Sequence, residues 1–119
     1  MKDYLLTEIQ VINGVNVISR VIDMPPALVK DLAFKLRAAV AAPFLCVIGS
    51  KHQDKPQLTI MLSDDLVADH QLNAGQLVRE GAKLIQGGGG GQHHFAQAGG
   101  KNADGLNAAV DKVLQLANL

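Results

Sequence analysis

The 119-residue sequence has no tryptophan, a single tyrosine and an aromatic content of only 3%. A core built almost without rings must be filled by Val, Leu, Ile and Ala packed between layers, which is the composition of an α/β domain. Charge of one sign is missing too, because eleven basic and eleven acidic side chains cancel. That balance excludes the broad positive field of an autonomous nucleic-acid binder, so any polyanion contact is local and weak by itself. The one cysteine, Cys46, has no internal disulfide partner, and its place in the apolar run FLCVIG marks a small buried thiol suited to a reducing, cytosolic (cytoplasmic) compartment. No apolar stretch approaches the roughly 20 residues needed to cross a bilayer, and MKDYLLTEIQ lacks the apolar segment and small-residue cleavage site of a signal peptide. No membrane contact is expected. Met1 opens at once onto strand-like sequence, as an excised domain with an added start would.

What is present is one domain's length of chain, 48% hydrophobic, enough to bury a single core. Residues 5–12 and 15–22 are rich in Val and Ile and flank Asn13 and Gly14, the dipeptide that best supplies two positive-φ positions, so a β-hairpin is predicted. In DMPPALVKDLAFKLRAAVAA the prolines suit a first helical turn, and Leu28, Leu32, Leu36 and Val40 recur at four-residue spacing, predicting an amphipathic helix over 26–41. Pro43 ends it, and FLCVIGS reads as a strand covered on both faces, completing a right-handed parallel crossover. KHQDK then turns the chain into QLTIML, antiparallel to the strand before. SDDLVADHQ, capped by Ser63, reads as a short helix or turn. NAGQLVREGAKLIQ reads as a helix with Asn73 and Gln76 placed as a capping box and a stop at Gly87. The last segment caps on Asn102 and sets Leu106, Val110, Val113 and Leu114 on one stripe. The expected fold is therefore α/β: a single domain with a mixed β-sheet containing hairpins and a helical crossover, packed by amphipathic helices.

The stretch QGGGGGQHHFAQAGGK, residues 86–101, holds seven glycines in sixteen positions, and glycine loses more backbone freedom on folding than any other residue. One or two would serve as a helix stop. Five in a row leave two readings open, an anion cradle of exposed N–H groups or a flexible hinge. The run is neither a P-loop, since no GK[ST] follows, nor a dinucleotide fingerprint, since no strand feeds it. His93 and His94, adjacent in an extended segment, point opposite ways and have no Cys or carboxylate nearby to complete a tetrahedral zinc set. His52 and His70 read as surface groups, and Asp64, Asp65 and Asp69 as a capping pair and a solvated helix face. No nucleophile, base and orienter come together, so neither a catalytic centre nor a metal site is expected.

The same stretch resembles the signature of the DHH-associated domain as it occurs at the C-terminal end of alanyl-tRNA synthetases. Gly87–Gly91, then Ala96–Gly100, then a helix after Asn102 fall in the family's order. INGVNVISRVID, LAFKLRA and GQLVREGAKLIQGGGG upstream are similar as well, so the resemblance covers residues 1–119; it departs at QHH, where many relatives carry a proline and an acidic residue.

The resemblance implies a non-catalytic fragment of a larger alanine–tRNA ligase, in which ATP, Mg2+ and Zn2+ are bound by other domains and none by this one. It implies binding of the tRNA(Ala) elbow, coupling of aminoacylation with editing, and oligomerisation through a helical subdomain not included here. Its tRNA-contacting residues would be Gly87, Gly88, Gly89, Gly90, Gly91, Gln97, Gly99, Gly100 and Lys101. Two other functions fit the same residues: the substrate-holding domain of a DHH-type phosphoesterase, aligned through His94, and a non-catalytic oligomerisation module.

Overall fold

Side chains along residues 44–48 alternate between two separate cores, and that alternation explains why this run is apolar. In the computed structural model, which describes residues 1–119, the chain runs α1 (Lys2–Leu6), β1 (Gln10–Ile12), β2 (Val15–Ile22), α2 (Pro26–Ala39), β3 (Phe44–His52), β4 (Lys55–Leu62), α3 (Asp64–Ala68), α4 (Ala74–Ala82), β5 (Gly88–Gly91), β6 (Phe95–Gly99) and α5 (Leu106–Ala117). Short 3-10 turns occupy Lys83–Ile85 and Ala103–Gly105. The strands form one six-stranded sheet in the order β1-β2-β3-β4-β6-β5. Phe44, Cys46 and Ile48 pack with Leu5, Val29, Leu32 and Leu36 beneath α1 and α2. Leu45 and Val47 face Leu77, Val78, Leu106 and Val113 beneath α4 and α5. β3 is thus the central strand of a three-layer α/β domain, as a strand buried on both faces must be. It runs parallel to β2 through the α2 crossover and antiparallel to β4.

The Asn13–Gly14 hairpin forms as expected, with both turn residues at positive φ (49° and 83°), but its first strand is far shorter than residues 5–12. Lys2–Leu6 is helical and only Gln10–Ile12 pairs with β2. KDYLL has no β-branched residue and carries Asp3 in the first turn, both of which favour a helix, and the turn delivers Leu5 into the core under α2. The α2 helix ends at Ala39, not 41, and buries Val29, Leu32, Ala33 and Leu36, while Leu28 is 56% exposed. Four residues are more than one helical turn, so a strict four-residue stripe drifts by about 40° per step and leaves the interface within two steps.

KHQDK is mostly strand: only Gln53 and Asp54, both at positive φ, make the turn, and Lys51, His52 and Lys55 lie in the β3–β4 ladder. Solvated strand ends are as polar as turns, so composition could not separate them. Ser63 sits at the start of α3, but its hydroxyl accepts from the Phe44 N–H at 2.8 Å and donates to Asp65 in place of a helix N–H contact. Asn73 does cap α4, accepting from the Gln76 N–H at 3.1 Å. That helix gives way to the 3-10 turn after Ala82 and is closed by Gln86 in the left-handed region, with the Gly87 N–H returning to the Ala82 carbonyl. No helix is long and apolar enough to cross a membrane.

Cys46 is wholly buried, and loss of hydration pushes its thiol pKa from 9.0 up to about 12. Between those values the unfolded chain has released the proton and the folded chain keeps it. Its contribution is therefore complete below pH 9 and falls as pH rises, by about 1.4 kcal/mol per unit. Urea titrations at about pH 8 and about pH 10.5 should show parent stability falling more steeply than that of Cys46→Ala. Parallel losses in the two proteins would contradict this linkage.

Candidate nucleic-acid interface

The glycine run is a strand. β5 closes one edge of the sheet, antiparallel to β6, with Gly88 opposite Gly99, Gly89 opposite Ala98, Gly90 opposite Gln97 and Gly91 opposite Ala96. This corrects the flexible-hinge reading, and the steric surroundings explain the glycines. A Cβ at Gly89 would stand 2.5 Å from the Gln97 carbonyl oxygen and 2.6 Å from Ala98 Cα, and one at Gly91 would stand 2.6 Å from the Phe95 carbonyl oxygen. At Gly87 it would collide with the Gly99 carbonyl. None of these residues has positive φ, so glycine is needed for close approach and not for a left-handed turn. Gly88 and Gly99 differ: a Cβ on either would meet nothing within 4 Å.

At the two ends of the stretch, N–H groups are spent inside the fold. Gly87 donates to Ala82, Gly100 to Pro56 at 3.1 Å, and Lys101 and Asn102 both donate to the Ile85 carbonyl at 2.8 and 2.9 Å. The hairpin instead frames one wall of an open cleft of about 870 Å³ at the end of the sheet. Gly87, Gly88, Gly99, Gly100 and Lys101 line it from the hairpin side. Lys55, Pro56 and Gln57 from β4, Pro26 from the start of α2, and Gln86 complete the wall. Gly89, Gly90, Gly91 and Gln97 lie farther along the hairpin, where Gln97 Nε2 donates to Thr59 Oγ1 at 3.2 Å.

Lys55 and Lys101 are exposed and belong to no ion pair. The acidic residue of the cleft, Asp54, lies 3.7 Å from Lys51. Gln57 Oε1 is buried without a hydrogen-bond partner, an arrangement that costs about 1–3 kcal/mol. Pro26, Lys55 and Gln57 escape sequence reading because their adjacency is created by the β4–β6 register and the α2 crossover. His93 and His94 form the hairpin turn at the opposite end, where their carbonyls accept from the Ala74 and Leu62 N–H groups. No three His, Cys, Asp or Glu side chains gather anywhere in the molecule.

A mixed six-stranded sheet between helical layers, with four glycines among the residues lining its open cleft, defines a small three-layer α/β domain. The chain belongs to the DHHA1 domain family, whose profile matches residues 14–119, in agreement with the resemblance read from the glycine signature. It is 56% identical over 119 residues to the alanine–tRNA ligase of Bacteroides fragilis, covering 100% of this chain but only 14% of that enzyme. The crystal structure of the C-Ala domain from Aquifex aeolicus alanyl-tRNA synthetase matches with a TM-score of 0.77 at 29% identity, covering 92% of this chain and 96% of that one. RecJ in complex with Mg2+ from Thermus thermophilus shares the fold at 17% identity, with a TM-score of 0.55 over 83% of this chain and 14% of that one.

Alternate glycines of the run should therefore respond differently to a methyl group. Gly89→Ala is expected to lose about 1–3 kcal/mol through overpacking against β6. Gly88→Ala should stay within about 0.5 kcal/mol of the parent. Urea unfolding of both variants checks this, and equal destabilisation would contradict the steric account.

Proposed function

We propose that this chain is the globular C-terminal domain of an alanyl-tRNA synthetase and that its cleft meets tRNA(Ala) at the elbow, helping one tRNA serve both aminoacylation and editing. The observation that carries the reading is the pair of unpartnered lysines, Lys55 and Lys101, on a cleft that Gly87, Gly88, Gly99 and Gly100 also line. The similarity to alanine–tRNA ligases and to the Aquifex C-Ala domain supports it. Two cations lining one cleft suit a phosphate chain, and bare glycines let that chain come close. With a net charge of zero, the domain contributes local contacts while the rest of the enzyme supplies most of the affinity. Adenylation, with its ATP, Mg2+ and Zn2+, belongs in this reading to domains outside the chain, as does oligomerisation through a helical subdomain. A cytoplasmic location follows from that assignment. The phosphoesterase alternative has less support, because His94 stands on the hairpin turn away from the cleft.

The reading is tested by titrating tRNA(Ala) with the chain across a range of salt concentrations. Lys101→Ala and Lys55→Ala should each flatten the dependence of log K on log salt by about 0.7–0.9. Both side chains are exposed, so thermal midpoints should not move. An unchanged salt slope in both variants would remove the cleft from the RNA interface.

A further inference from the structure

We infer that the cleft is a receptor for a single unstacked nucleotide, whose base lies flat on the Gly88–Gly99 pair while its phosphate is held by Lys55 and Lys101. The inference deepens the RNA-binding reading of the cleft and rests on it. Its starting point is that these two glycines have no internal reason to be glycine. They face each other across the β5–β6 ladder, neither has positive φ, and a β-carbon on either would project into open space. Their neighbours Gly87, Gly89 and Gly100 are each held bare by a protein atom that a Cβ would strike. The floor made by Gly88 and Gly99 is left unfilled by the fold and belongs to the cleft wall.

Bare peptide planes form a flat surface that a heterocycle covers and a sugar or branched aliphatic group does not. Pro26, at the start of α2, borders the same cleft, and an apolar ring there suits a base. Lys55 and Lys101, which have no acidic partner, supply charge for the phosphate on that nucleotide. Gln57 supplies the edge contact. Its Oε1 is the molecule's one buried side-chain polar atom without a partner, and turning the amide toward the cleft lets it accept from a ring or amino N–H of the base. Recognition of RNA commonly targets such splayed bases, read by stacking and by hydrogen bonds to their edges.

The experiment adds 5′-ribonucleoside monophosphates, inorganic phosphate and tRNA(Ala) separately to the 119-residue chain and follows backbone amide shifts by NMR. Nucleotides should shift Gly88, Gly99, Gln57 and Lys101 together, whereas phosphate alone should bind more weakly by on the order of tenfold, the weight of one stacked base. Gly88→Ala and Gly99→Ala should keep the parent's thermal midpoint yet lose nucleotide binding. Gln57→Leu, which removes the orphaned acceptor, should fold at least as stably as the parent and bind nucleotide less well. Phosphate binding as tightly as nucleotide would overturn the base receptor, as would undiminished nucleotide binding by folded Gly88→Ala and Gly99→Ala. If tRNA binds but no nucleotide does, the receptor falls and the RNA-binding reading stands; if neither binds, both fall.

Discussion

The carbonyl of Ile85 holds the cleft end of the molecule together. It accepts from both Lys101 and Asn102, so the chain leaving β6 is tied to the 3-10 turn that precedes β5. Glycine makes the tie possible at two further points: a β-carbon at Gly100 would strike the Ile85 carbonyl, and one at Gly105 would strike the Leu84 carbonyl. The turn Lys83–Ile85 therefore sits in a socket of bare backbone that fixes where α4 ends, where β5 begins and where Lys101 stands. Each N–H used in this socket is lost to any ligand, which is why the segment between β6 and α5 presents a lysine side chain to the cleft and not an amide nest.

Much of the architecture was legible from residues that answer to one neighbour at a time. Asn13 and Gly14 encode their turn through backbone dihedrals alone, Asn73 encodes a cap through one acceptor, and the unbroken apolar run of β3 encodes burial on two faces. The polyglycine strand was illegible for the converse reason. Glycine has little intrinsic preference for a strand, and what places β5 in the sheet is the closeness of β6, a property of a pair of strands that neither encodes separately. The N-terminal helix was missed because Leu5, Leu6 and Ile9 satisfy a strand pattern as readily as the single turn that delivers Leu5 to the core.

The candidate site divides along the same line. Lys101 and the glycines near it were visible because they fall in one signature, while Lys55, Gln57 and Pro26 reach the cleft only through the sheet register and the α2 crossover. Glycines that look identical in sequence also proved unequal in the structure. Gly87, Gly89 and Gly91 are consumed by the fold, and Gly88 and Gly99 are left over.

A strand made only of glycine has another consequence at the edge of a sheet. Edge strands usually avoid pairing with other molecules by displaying charge, a proline or a bulge, and β5 has no side chain with which to display anything. Its partial cover comes from α4, where Gly75 rests against the Gly91 backbone and Arg79 stands beside Gly90. A lesion that loosens α4 would uncover a flat, chargeless ribbon able to template the same ribbon in another copy. In this domain, damage to one helix is thereby converted from a loss of stability into a route to self-association.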